Sequence, residues 1–136
     1  LEHLPDPVAA LKHARHLLEP DGRVLITVPA FSVLWTHHDE LNRHFVRYRK
    51  RSLDAVVGRA GLRTIASRYY FQWLFPVKLA VRGVELLSGR EGDPARVPPP
   101  WLNRLLLRVT RLEQKALEPL NLPFGSSLLA WCASGR

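Results

Sequence analysis

The sequence predicts an α/β domain, and three features carry that prediction. Residues 24–28, Val-Leu-Ile-Thr-Val, form an unbroken apolar or β-branched run between Gly22 and Pro29. The length and the flanking residues favour a strand over a buried helix. Helical patterns stand on both sides of this run, and the composition, 46% apolar and 24% charged, is that of a globular domain. An uninterrupted apolar strand is typical of a parallel sheet buried on both faces, so we expect that environment here.

The other elements follow from local signals. A helix is predicted from Pro7 to about Leu18, because Asp6 is a good N-cap and proline suits the first helical position. A tight turn at Asp21-Gly22 leads into the strand. Three further helices are predicted, from Leu53 to Arg59 with Ser52 as the cap, from Leu74 to Leu87 and from Trp101 to Leu117. Two further strands are predicted, from Leu62 to Phe71 and from Ser126 to Ala133. A functional loop is expected from Pro29 to Asp39 and a mobile loop from Ser88 to Pro100.

The charge balance predicts an anionic partner. The net charge is +8, which suits a membrane surface, a charged substrate or nucleic acid, although a solvated basic surface is the plain alternative. Nucleic acid is not favoured, because the sequence has no recognised nucleic-acid fold signature. The chain has one cysteine, Cys132, so it has no internal disulfide and fits a reducing, cytoplasmic compartment. No apolar run is long enough for a membrane span, about 18 residues or more.

Residues 73–123 are predicted to form a helical insertion. The first helix is apolar nearly all round, apart from a polar stripe of Lys78, Arg82 and Glu85. The second is amphipathic, with Leu102, Leu105, Leu106, Val109 and Leu112 on one face and Arg104, Arg108, Arg111 and Lys115 on the other. Basic amphipathic helices of this kind also lie on membrane surfaces. We expect a lid over the active site that contacts lipid.

The densest polar cluster lies after the first strand. His38, Asp39 and His44 are the candidate catalytic residues, because a histidine titrates near neutral pH and can accept a proton from a substrate. Trp35, His37, Arg47 and Tyr48 are the candidate substrate-binding residues. Two alternatives stay open at this stage: a metal site built from the histidines and Asp39, and side chains that only bond to nearby backbone.

Two segments resemble the motifs of a class I S-adenosylmethionine-dependent methyltransferase. They are Leu1-Glu-His-Leu4 and Leu18-Glu-Pro-Asp-Gly-Arg-Val-Leu-Ile-Thr-Val-Pro29, with Asp21 where glycine is usual. Further residues resemble those of a small-molecule or lipid-directed subgroup of that family. They are His38-Asp39, His44, Arg47-Tyr48, Ala60-Gly61-Leu62 and Gly125-Ser-Ser-Leu-Leu-Ala130. The likeness covers residues 1 to about 72 and 124 to 134.

The resemblance implies that residues 1–136 are a single partial domain, the C-terminal part of a seven-stranded Rossmann-like sheet. This part would contribute three strands, two of them parallel, with the last antiparallel and inserted between them. Leu1, Glu2 and His3 would line the pocket for S-adenosylmethionine. The chain has no initial methionine and no Gly-x-Gly pair, and glycines let backbone approach such a ligand. We therefore expect a truncated chain that does not hold the cofactor tightly alone.

The resemblance thus predicts methyl transfer from S-adenosylmethionine to a small, apolar or lipid-linked acceptor. This chain would supply the acceptor side of the site and would be inactive by itself. The alternative is a basic α/β module that binds a membrane surface or nucleic acid without catalysis. A metal-dependent hydrolase is a third hypothesis. The expected location is cytoplasmic, with contact to a membrane surface.

Overall fold

The computed structural model describes residues 1–89, 97–117 and 120–135. Its regular elements are, in chain order, α1 (Pro7–His16), β1 (Arg23–Pro29), a 3-10 turn (Ser32–Leu34), α2 (His37–Leu41), α3 (Lys50–Arg59), β2 (Leu62–Tyr70), α4 (Leu74–Ser88), α5 (Pro100–Leu117) and β3 (Ser127–Ser134). The mixed α/β class predicted from the sequence is confirmed.

The three strands form one sheet in the order β1-β3-β2. β3 runs antiparallel to both neighbours, with Ile26 opposite Ala130 and Tyr69 opposite Leu128. The predicted place of the last strand, antiparallel and between the other two, is confirmed. No two neighbouring strands in the described sheet are parallel, so this sheet alone does not form the parallel environment expected for β1.

One face of the sheet carries the hydrophobic core. α1 and α3 pack together, and α3 lies against β2. Helix α3 buries three apolar side chains on that face, as its apolar spacing predicts. The residues of this core that are at most 1% exposed are Ala30, Leu53, Val57, Ala60, Leu128, Ala130 and Cys132. Burial also raises the pKa of the Cys132 thiol, with Asp54 adding to the rise and a hydrogen bond with Thr64 opposing it.

The opposite face of the sheet is only partly covered, which corrects the expectation for β1. Exposure alternates along that strand: Ile26 is 5% exposed, whereas Leu25 is 51% exposed. Leu25 pairs with Trp131 of β3, which is also largely exposed. A run of apolar residues shows that both faces suit an apolar environment, but it does not show which elements cover them. The expectation of burial on both faces is wrong for the described residues.

Several boundaries also differ from the sequence expectations. The loop expected from Pro29 to Asp39 contains the 3-10 turn and the start of α2. Helix α3 begins earlier than expected, and Ser52 is not its N-cap: the Ser52 hydroxyl accepts from the Arg49 amide at 2.9 Å and donates to the Arg49 carbonyl at 3.0 Å. Most of the loop expected from Ser88 to Pro100 lies outside the described residues.

Hydrogen bonds join α5 to the residues at the start of α4. The buried Glu113 carboxylate accepts hydrogen bonds from the backbone amides of Gln72 and Trp73, and the Trp73 indole donates to the Thr110 hydroxyl at 3.3 Å. A groove of about 560 Å³ runs between the C-terminal half of α5 and the open face of β2 and β3. None of the described helices combines the length and the apolar character that crossing a membrane requires.

Candidate active site

Three chain segments meet at the carboxyl end of β1. The Tyr48 amide donates to the Pro29 carbonyl at 2.8 Å, and the Phe31 amide donates to the Tyr48 carbonyl at 3.0 Å. These bonds hold the segment before α3 alongside the chain leaving β1. The Phe45 amide donates to the Glu2 carbonyl at 2.7 Å, which brings the first residues to the same place. The backbone therefore assembles residues that are more than forty positions apart.

Asp39 is the centre of this cluster. Its side chain is 0% exposed, and Arg47 holds it with two hydrogen bonds of 2.9 Å, one to each carboxylate oxygen. The Thr36 amide donates to Oδ2 at 3.0 Å, and His44 Nδ1 lies 2.7 Å from Oδ1. Arg47 also donates to the Ala30 carbonyl at 3.1 Å. A bidentate arginine–carboxylate pair fixes geometry as well as charge.

The Asp39 carboxyl stays ionised. Burial alone would raise its pKa, but the hydrogen bonds from Arg47, the Thr36 amide and His44, with the charge of Arg47, hold the pKa below its ordinary value of 3.8. An ionised carboxylate accepts hydrogen bonds and donates none. Hence the His44 nitrogen facing it, Nδ1, carries a proton, and in the neutral imidazole Nε2 is the nitrogen that can accept one.

The His44 ring also lies beside the first residues of the chain. Its side chain is 13% exposed, and the His3 ring contacts it edge to face at 4.6 Å between centroids. Glu2, His3 and His44 each place a potential ligand atom within 4.8 Å of the other two. The described structure thus brings Glu2 and His3 beside His44, a proximity that sequence spacing alone does not reveal.

Three predicted site residues do not join this cluster. His38 is exposed, and its Nε2 lies 3.0 Å from the Asn42 amide nitrogen. His37 and Trp35 both face Glu40, with His37 Nδ1 at 3.4 Å and Trp35 Nε1 at 3.4 Å from its carboxylate oxygens. The four residues His37, His38, Asp39 and His44 therefore do not converge on one point, so their geometry does not support the metal site considered from the sequence. The predicted roles of His38, His37 and Trp35 stay predictions.

Tyr48 presents an unusual buried hydroxyl. The residue is 2% exposed, and no hydrogen-bond partner for its hydroxyl lies among the described residues. Burial raises the pKa of this phenol, and the negative charge of Glu2 raises it further. Buried polar groups are nearly always paired, so this hydroxyl, which is unpaired among the described residues, has a hydrogen-bonding capacity that a polar group of a ligand could use.

Lys78 is a site-facing residue that the sequence analysis did not include in the cluster. Burial lowers the pKa of its ammonium group, the Arg47 charge lowers it further, and the Asp39 charge opposes both. Lys78 comes from α4, which packs on the 3-10 turn. The sequence did contain a sign of this position, because Lys78 belongs to the single polar stripe of an otherwise apolar helix.

Comparison with known families agrees with this arrangement. Residues 1–67 match the family described as a methyltransferase domain. The match confirms the resemblance to class I S-adenosylmethionine-dependent methyltransferases and includes the cluster around Asp39. A search of the curated proteins finds no match.

The family implies S-adenosylmethionine, and the described residues fit that cofactor in part. Glu2 offers a carboxylate, which suits ribose hydroxyl groups, and the neighbouring Tyr48 hydroxyl has no partner among the described residues. The sequence contains no Gly-x-Gly pair for close backbone approach to a ligand. The predicted role of Leu1, Glu2 and His3 in binding the cofactor stays a prediction.

Proposed function

We propose that this chain supplies the acceptor side of an S-adenosylmethionine-dependent methyltransferase that acts on a small, apolar or lipid-linked acceptor. One observation supports this proposal most strongly: a buried, ionised Asp39 holds His44 by its Nδ1 nitrogen at the carboxyl end of β1. In α/β sheets, ligands bind beyond the carboxyl ends of the strands.

His44 acts as the general base in this proposal. Its Nε2 nitrogen takes the proton from the hydroxyl or amine group of the acceptor. When bound, S-adenosylmethionine supplies an electron-poor methyl group on a sulfonium sulfur. Asp39 keeps the histidine in the tautomer that accepts a proton at Nε2 and stabilises the imidazolium that forms, as a carboxylate does in a catalytic triad. Positioned acid–base groups contribute roughly 10²- to 10⁴-fold to a rate.

Arg47 and Tyr48 are the proposed acceptor contacts within the cluster. Arg47 fixes Asp39 and the chain leaving β1, so it aligns the base with the acceptor. The unpaired Tyr48 hydroxyl offers a hydrogen bond to a polar group of the cofactor or acceptor. Trp35 and His37 lie on the neighbouring α2 side and would contact the more distant part of the acceptor. The helices of residues 73–123 would form the lid.

The wider sheet is also part of the proposal. The large apolar side chains on the open face of β1 and β3 suit a covering layer. The helices that flank a seven-stranded Rossmann-like sheet would supply that layer, and its first strand would lead into a glycine-rich loop. We therefore propose that residues 1–136 are one partial domain and are inactive alone.

A tritiated-methyl assay tests this function. The chain is expressed alone and together with the coding sequence that adjoins it, and each protein is incubated with S-adenosylmethionine labelled in the methyl group and with a cell extract. We expect label in organic-soluble or small-molecule products only for the longer protein. Transfer by the chain alone would refute the inactivity of residues 1–136, and label found in neither fraction would refute the methyl-transfer assignment.

A further inference from the structure

Helix α4 turns polar side chains towards the protein and large apolar side chains towards solvent. Lys78, Arg82 and Glu85 share one side, and all three are only partly exposed, with Arg82 and Glu85 paired at 3.9 Å. The other side carries large apolar residues that are 46–91% exposed: Val77, Val81, Val84 and Leu87. No residue of this helix is buried. A surface helix ordinarily points its apolar side inward, so the outward side of α4 requires an apolar environment.

Helix α5 shows a second exposed apolar stripe. Leu102, Leu106 and Val109 lie on the covered side with Glu113, whereas Trp101, Leu105 and Leu112 are about half exposed or more. The single apolar face expected from the sequence is therefore divided in the structure, with Leu105 and Leu112 exposed. Each residue turns a helix by about 100°, so Arg104, Arg108, Arg111 and Lys115 fall within about 60° of one another and directly beside the exposed apolar stripe.

We propose that α4 and α5 dock the protein on an anionic membrane surface. Apolar side chains next to a row of arginine and lysine match an interfacial helix, in which the apolar groups enter the acyl boundary and the cations meet lipid phosphates. The only acidic residue of α5 is Glu113, which is buried, so no exposed carboxylate on this helix opposes the contact.

A second copy of the chain suits this surface less well. In a two-fold dimer the same patch faces itself, so the two basic stripes of α5 would lie against each other. Like charges brought together in this way repel, and the net charge of +8 adds to the repulsion. A bilayer containing anionic lipid removes that cost, because its phosphates pair with the basic residues of α5. The membrane contact does not depend on the proposed methyl transfer.

Vesicle co-sedimentation tests the basic stripe. The chain is mixed with vesicles of phosphatidylcholine, with and without phosphatidylglycerol, and we expect tighter binding to the anionic vesicles. The variant Arg104→Glu with Arg108→Glu should bind at least about 30-fold more weakly, since each basic residue near the surface contributes about fivefold. Arg23→Glu with Arg63→Glu is the matched control, because both residues are exposed strand residues and the charge change is the same. Equal weakening by the two pairs would overturn the proposal.

The apolar stripes have their own test. Leu105→Ser with Leu112→Ser, and separately Val84→Ser with Leu87→Ser, should each weaken binding by tenfold or more. Leu17→Ser is the control, since Leu17 is also highly exposed but lies after α1. Circular dichroism establishes that every variant is folded. Absence of vesicle binding by the wild-type chain, or a wild-type dimer in sedimentation that these variants convert to monomer, would overturn the proposal.

Discussion

Replacing Asp39 by asparagine tests whether the buried cluster is organised by charge. The substitution keeps the shape but removes the negative charge that faces Arg47, whose side chain is 1% exposed. It also replaces acceptor oxygens that now receive bonds from Arg47, Thr36 and His44. Removing one partner of a buried ion pair leaves an unpaired buried charge, which costs about 3–5 kcal/mol.

The expected result is a large loss of stability. For a domain of this size, that free energy corresponds to a fall in the melting temperature of about 10–20 °C. Thermal and urea unfolding followed by circular dichroism measure it. Asp21→Asn is the control: it makes the same chemical change at an exposed turn, where we expect an effect within about 0.5 kcal/mol.

A double-mutant cycle separates the ion pair from the other bonds of Asp39. Arg47→Met removes the cation, and the double variant Asp39→Asn with Arg47→Met removes both charges. Because the double variant leaves no buried unpaired charge, its loss should be about 2 kcal/mol or more below the sum of the two single losses. Additive losses, or an Asp39→Asn variant as stable as the Asp21→Asn control, would refute the reasoning.

Three further predictions concern pH, a glycine and the buried phenol. The pKa of Asp39 is lower in the folded state, so the stabilising effect of its charge is complete above the ordinary pKa of 3.8 and is lost as pH falls through the folded-state pKa. The difference in unfolding free energy between wild type and Asp39→Asn should therefore become smaller in acid. A difference that stays constant with pH would contradict this. At Gly125 an added Cβ would lie 2.5 Å from the Tyr70 carbonyl oxygen, so Gly125→Ala should lower the free energy of unfolding in urea by about 1–3 kcal/mol. At Gly58 nothing lies within 4 Å of an added Cβ, so Gly58→Ala should raise that free energy by about 0.5–1 kcal/mol. Equal effects of the two substitutions would contradict the packing described. The Tyr48 hydroxyl has no partner among the described residues, so Tyr48→Phe should leave the melting temperature unchanged or slightly higher, and a clear fall would show that a bond exists.

The elements of the fold were largely predictable because their signals are local. Helix α1 follows its Asp6 cap, which accepts from the Ala9 amide at 3.0 Å, and Gly61 has the positive φ of 74° that its place after α3 requires. The 3-10 turn and α2 were missed because both are short. Helix α2 is five residues long and is stabilised by the bond between Thr36 and Asp39, which belongs to the cluster.

The site was predictable where its members are close in sequence. Asp39, His44 and Arg47 were identified from their residue types, but their exact partners depend on how the chain returns beside β1. Glu2 reaches His44 only because the Phe45 amide bonds its carbonyl, and no spacing rule anticipates that bond. The sequence also showed the polar stripe of α4 that carries Lys78, but a helix that is apolar nearly all round does not reveal which side faces the protein.

In the proposed mechanism, His44 is held by Asp39 and takes a proton from the methyl acceptor. The most direct measurement is the rate of methyl transfer from labelled S-adenosylmethionine by the longer protein carrying His44→Ala, compared with His16→Ala as a matched control. We predict a loss of about 10²- to 10⁴-fold for His44→Ala and nearly unchanged transfer for His16→Ala, whose side chain is exposed at the end of α1. Equal rates for the two variants would contradict the account.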